Sequence, residues 1–125
     1  MGKLQNVEDI RLVKSYLVLP VTLEIIERNL KLIKLHNFKL SEVFVGHLIN
    51  LRNKVNLEYY NVKQEMKRLG IKVFEESRTD EGITGKYLCR GYQHEMTLLW
   101  MNIKSECEVK VAAMLDVDLS KVEYD

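Results

Sequence analysis

The sequence has few chain breakers. One proline and six glycines occur in 125 residues, which argues for long helices and against a many-stranded or loop-rich fold. The two cysteines, Cys89 and Cys107, are too few for a disulfide framework. Long apolar runs are missing. The most apolar early stretch, Tyr16 to Leu23, falls well short of the ~20 residues that cross a bilayer, and Pro20 and Thr22 interrupt it. The first residues, Met1 to Arg11, are polar and include Glu8 and Asp9, whereas a secretory leader starts basic and then runs apolar. These absences predict a cytoplasmic protein without a membrane partner. Excess charge of either sign is also lacking, with 19 Lys and Arg against 18 Asp and Glu.

The remaining composition supports one core. Apolar residues make up 46% and charged residues 30%, a globular balance, and the length suits a single domain over 1–125. The charge is unevenly spread. Residues 1–72 hold thirteen Lys and Arg against seven Asp and Glu, while residues 73–125 hold six against eleven. Such a dipole orients a protein towards a partner or a second copy; ordinary surface patchiness explains it more simply.

Periodicity predicts the elements. Asn6 is placed to cap a helix over 1–19, with Val7, Ile10, Val13 and Leu17 on one face. Pro20 should kink that helix or begin a new one. A helical body over 20–70 follows. Leu23, Ile26, Leu30 and Ile33 stripe its first helix, and Ile25, Leu32 and Leu35 widen that stripe. Ser41 caps the next helix, striped by Phe44, Leu48, Leu51 and Val55. Asn56 caps another, striped by Tyr59, Val62, Met66 and Leu69 and stopped at Gly70. Over 71–90 the pattern becomes a β-hairpin, with strands at Ile71–Glu75 and Thr84–Arg90 around a polar turn. Gly91 then precedes a long helix over 92–115, with Met96, Leu99, Ile103 and Cys107 on one face. Asp116 and Asp118 help to end it, and 116–125 is a frayed tail. The expected fold is mostly α with one β-hairpin (α+β), in the order α-α-α-α-β-β-α.

In element order alone, residues 22–115 resemble winged-helix DNA-binding domains. That resemblance implies a small non-enzymatic regulator of transcription. Its recognition helix would be residues 57–69 and its wing tip residues 75–84. Tyr60, Asn61, Lys63, Gln64, Lys67 and Arg68 would then face double-stranded DNA, amides reading adenine edges and cations meeting phosphates. Glu58 and the acidic tip of Glu75, Glu76, Asp80 and Glu81 repel phosphate. They favour the alternative, a protein-interaction module acting through its charged hairpin and acidic last helix. Its partner contacts would be Arg78, Glu81, Trp100 and Met101. Met101 lies off the stripe of the long helix, which predicts a homodimer seam there.

No enzyme or cofactor signature emerges. Cys89, Cys107, His36, His47 and His94 show neither CxxC nor HxxxH spacing, so no metal site is expected. Arg90, Tyr92, His94 and Glu95 gather at one junction, where an anion could bind. Helix capping and an ion pair explain that cluster more simply.

Overall fold

The computed structural model describes residues 5–123. Its elements run α1 (Val7–Leu35), α2 (Ser41–Arg68), β1 (Ile71–Arg78), β2 (Gly82–Cys89), β3 (Tyr92–Leu99) and α3 (Trp100–Met114), then a short 3-10 turn, Leu119–Lys121. This α-α-β-β-β-α order replaces the expected four helices and hairpin, and with it the winged-helix arrangement.

α1 begins where Asn6 and Asp9 form a capping box. Each side chain accepts a hydrogen bond from the other's backbone N–H at 2.9 Å. The helix does not stop at Pro20, so the expected break between 1–19 and the helical body is absent. An interior proline costs about 3 kcal/mol through its missing donor and ring clash. Leu17, Val18, Leu19, Val21 and Thr22 surround it and are all buried, and each large apolar side chain buried contributes roughly 1.5–3 kcal/mol. Continuity therefore wins.

α2 unites the two helices expected on either side of Asn56, which is an exposed mid-helix residue and caps nothing. The stripes of the two halves are in phase. Phe44, Leu48, Leu51, Val55, Tyr59, Val62, Met66 and Leu69 follow one another at steps of three and four, a single unbroken face. Ser41 is the first helical residue and not the cap; Leu40 precedes it in the left-handed region, φ 59°. Gly70, at φ 74°, closes the other end.

The three strands form an antiparallel meander, β1-β2-β3. The polar turn is only Thr79, Asp80 and Glu81. Beyond Cys89, Arg90 and Gly91 take positive φ of 50° and 89°, the requirement of a two-residue hairpin turn. Residues Tyr92–Leu99, expected to be helical, thereby return as a third strand. Their exposure alternates: His94, Met96 and Leu98 are half-buried, while Gln93, Glu95, Thr97 and Leu99 are exposed. The helical spacing of Met96, Leu99 and Ile103 is a coincidence of phase across a strand–helix boundary. α3 accordingly has 15 residues, not the two dozen of the expected long helix. In the tail, Asp118 accepts from the Ser120 N–H at 3.0 Å, and 119–121 forms a single 3-10 turn. The last two tail residues lie outside the described residues.

α1 is the central element. α2 and α3 flank it, and the inner face of the sheet packs across it. Gly85 makes this approach possible, because a Cβ there would lie 3.1 Å from both Leu17 methyls. Tyr87, almost fully buried, donates its hydroxyl to Gln5 Oε1 at 2.6 Å. Across the α1–α3 contact, the Thr22 hydroxyl meets Cys107 Sγ at 3.2 Å.

Candidate functional site

α1 and α2 reach further than the sheet and α3 that pack on them. Between Leu30 and Leu51 none of the described residues is buried, whereas both flanking stretches are rich in buried positions. This end of the helical hairpin consists of two helices and a turn only. It nevertheless carries large apolar side chains. Leu35, Leu40 and Val43 are 76%, 73% and 65% exposed, and Leu32, Phe38 and Phe44 lie beside them at 40–50%. Single exposed apolar residues are ordinary, but a contiguous group marks a contact surface. Asn37 and Leu40 both adopt left-handed backbone conformations in the turn. A branched residue such as Leu40 enters that region only at a cost, and here it does so to point outwards.

The group is concave at its centre. A groove of about 480 Å³ runs between the two helices, lined by Asn29, Leu32, Ile33, Phe38, Phe44, His47 and Leu48. Its lining is apolar apart from Asn29 and His47 at the margin. The segment that carries the groove is basic in composition. Residues 28–47 contain Arg28, Lys31, Lys34 and Lys39 against one acid, Glu42, and none of these five forms an ion pair among the described residues. Arg28 and Lys31 line a separate groove with Glu24 and Glu27.

The residues expected to meet DNA lie elsewhere, on the second half of α2. Tyr60, Asn61, Lys63, Gln64, Lys67 and Arg68 are all exposed. Arg68 is engaged by Glu65, and Lys63 sits over the Tyr59 ring at 4.3 Å. Lys63, Lys67 and Lys72 border a second groove of about 600 Å³ with Tyr16, Val73 and Leu88.

Two of the expected partner contacts are committed within the chain. Arg78 holds both carboxylate oxygens of Glu24, at 2.9 and 2.8 Å. The Trp100 indole donates to the Thr79 carbonyl at 2.7 Å, and its backbone N–H donates to the Glu81 carbonyl at 3.1 Å, so Trp100 fastens the β1–β2 turn to the start of α3. Glu81 and Met101 remain exposed, Met101 at 80%.

The Arg90–His94–Glu95 cluster does not converge. Arg90 turns inwards, donating to Asp9 Oδ2 at 2.6 Å and to the Leu69 carbonyl at 2.9 Å. His94 stacks on Tyr87 at 5.5 Å beneath the sheet. Glu95, one residue along β3, faces the opposite side. Burial raises the Cys89 thiol pKa, and the neighbouring Asp9 charge adds to it. Cys107 is raised by burial too. Both are therefore poor nucleophiles. No group of three potential metal ligands occurs among the described residues, and no described helix is long and apolar enough to cross a membrane.

The sequence signal for the hairpin tip was present in Leu32 and Leu35, which widened the α1 stripe; Ile25, which widened it too, faces α3 instead. Val43 and Phe44, which periodicity places on or beside the buried face of the helix, are 65% and 49% exposed, because a loop-adjacent apolar residue looks the same whether it folds inwards or outwards. Nothing in the curated proteins or among solved structures matches the chain. A family described as YhjD protein matches residues 4–119, and over that span, nearly its whole length, this chain belongs to that family.

Proposed function

We propose that the protein is a non-enzymatic interaction module that captures an acidic amphipathic helix of a partner protein at the tip of its α1–α2 hairpin. The observation that carries this is the exposed apolar groove between Leu32, Ile33, Phe38, Phe44 and Leu48, in a segment whose bases outnumber its acids. Helices that dock in grooves insert apolar anchors at one-turn spacing and leave their polar face at the rim. The excess of bases at the tip, Arg28, Lys31, Lys34 and Lys39 against Glu42, favours acids on that face and repels a second, like-charged tip. Concavity and the marginal polar groups Asn29 and His47 favour a shaped peptide over a lipid surface, which needs neither. A cytoplasmic location, read from the sequence, goes with this proposal.

The test uses a labelled synthetic helix with Leu and Phe anchors and a glutamate face, alongside an otherwise identical lysine-faced helix. The acidic helix should bind and the lysine-faced one should not. Phe38→Glu or Phe44→Glu should weaken binding by at least about tenfold, the loss of one buried aromatic anchor, without lowering the melting temperature. Equal binding of both helices, or binding that survives both variants, overturns the proposal. Binding of the tip to phosphatidylserine vesicles in place of the acidic helix replaces it with a lipid-docking role.

DNA binding is a second reading, favoured by one observation: the side chains of Lys63, Lys67 and Lys72 gather around one groove without acidic lining. It predicts retention of duplex DNA that falls steeply with salt and is lost in Lys63→Glu with Lys67→Glu. Retention unchanged by that pair removes it.

A further inference from the structure

The two edges of the sheet differ in a way that bears on assembly. β1 is broken by a bulge between Val73 and Glu75, and it carries Lys72, Glu75, Glu76 and Arg78 within eight residues. Bulges and charges are the devices that keep an edge strand from pairing with another chain. β3 has neither device. Its register with β2 is unbroken over eight pairs, from Gly82↔Leu99 to Cys89↔Tyr92, and Glu95 is its single carboxylate or lysine-type charge. Its far side presents a row of backbone donors and acceptors to solvent, a template on which another strand can pair. At the end of this edge, Leu99 and Met101 stand 51% and 80% exposed.

We infer that β3 is a homodimer seam, in which two copies pair their β3 strands antiparallel about a two-fold axis to form one six-stranded sheet. Face parity and charge fix the register. In an antiparallel pair, directly opposed residues lie on the same face of the sheet. The inner-face set, His94, Met96 and Leu98, must therefore oppose itself, and so must the outer-face set. Two-fold pairing then centres on a residue. Centring on Glu95 sets two carboxylates face to face, which destabilises the pair. Centring on His94 or Thr97 shortens the overlap. Centring on Met96 leaves the longest pairing without like charges. It sets Glu95 against Thr97, His94 against Leu98, and Gln93 against Leu99.

A second copy fits this edge because, in that register, seven residues of β3 pair with their own copy and no like charges meet on either face. The seam expected on the last helix moves to the strand before it, since Trp100 is spent on the Thr79 carbonyl. This inference is independent of the hairpin-tip reading, because the two surfaces share no residue.

The experiment is sedimentation equilibrium over a range of concentrations on the full chain and two variants. Thr97→Glu places a carboxylate opposite the partner's Glu95 twice per dimer and should weaken the dimer about tenfold. Thr97→Lys places an ammonium there and should hold the dimer at least as tightly as the native chain. Both variants lose the same 3.0 Å Thr84–Thr97 hydroxyl contact, so a shared folding loss cancels between them. Adding Glu95→Lys to Thr97→Glu should restore the dimer. A monomer at all concentrations overturns the seam. So does a dimer equally indifferent to both substitutions, or one broken by Leu40→Glu but not by Thr97→Glu, which would place it at the helical tip.

Discussion

Asp9 shows how much one residue's position can change its meaning. In the sequence it is an acid in the first turn of a helix, complementing the helix dipole. In the fold it is 1% exposed and holds the start of α1 against the β2–β3 turn through Arg90. Burial pushes its pKa up, but the Arg90 guanidinium, the Asn6 backbone N–H and the Cys89 thiol outweigh this, and the carboxyl lies below its ordinary 3.8. A carboxylate whose folded pKa is depressed contributes stability that is complete above the unfolded value and is lost as pH falls through the folded one. Urea unfolding of native protein and Asp9→Asn should therefore differ most above the unfolded carboxylate pKa, and the gap should close as pH falls through the lowered folded one. A constant gap across that range would mean that the loss comes from packing and not from the charge. The capping half of this site was legible, because Asn6 and Asp9 stand three residues apart. The Arg90 half was not, since nothing local links residues 81 positions apart.

At the scale of elements, the mispredicted boundaries share a cause. Pro20 and Asn56 are a breaker and a cap by local chemistry, and in both places a continuous buried face overrides the local preference. Asn56 offers a direct check. At an exposed mid-helix position, Asn56→Ala should stabilise the protein by about half a kcal/mol through helix propensity. Had Asn56 been an N-cap, the same substitution would have cost about 1 kcal/mol. Chemical denaturation of the single variant separates the two by sign. β3 is the opposite case. Its period-2 exposure is set by pairing with β2, and the residues themselves (Tyr92, Met96, Leu98, Leu99) satisfy a helical period almost as well. The turn at Arg90–Gly91 decides between them. Arg90 accepts a left-handed conformation while its side chain reaches Asp9 and the Leu69 carbonyl.

Across the whole molecule, order is uneven. The half built from α1, α2, α3 and the sheet has a shared core, while the far end of the helical hairpin has two helices and no buried residue between Leu30 and Leu51 among those described. Local opening follows the density of buried contacts. Hydrogen exchange should therefore find amides of residues 32–48 exchanging on the order of a hundredfold faster than those of residues 12–22 and 55–66. An acidic helix bound at the tip should slow the first group selectively. Uniform protection along both helices would show that the tip is stabilised by something other than its own two-helix contact.

The sequence by itself determined that long helices dominate, that Asn6 starts the first and Gly70 stops the second, and that strands begin at Ile71. Each follows from capping chemistry or a short-range period, interactions that span only a few residues. The tertiary structure decided that helices continue through Pro20 and Asn56, that a third strand replaces the start of a helix, and that the apolar residues around Phe38 and Leu40 face outwards. Those outcomes depend on which surfaces remain uncovered once α1 has been packed on three sides. The scarcity of proline and glycine thus pointed to long helices, but three form in place of the four expected. The number of strands was set instead by two adjacent left-handed residues, Arg90 and Gly91, and by the buried carboxylate that the first of them reaches.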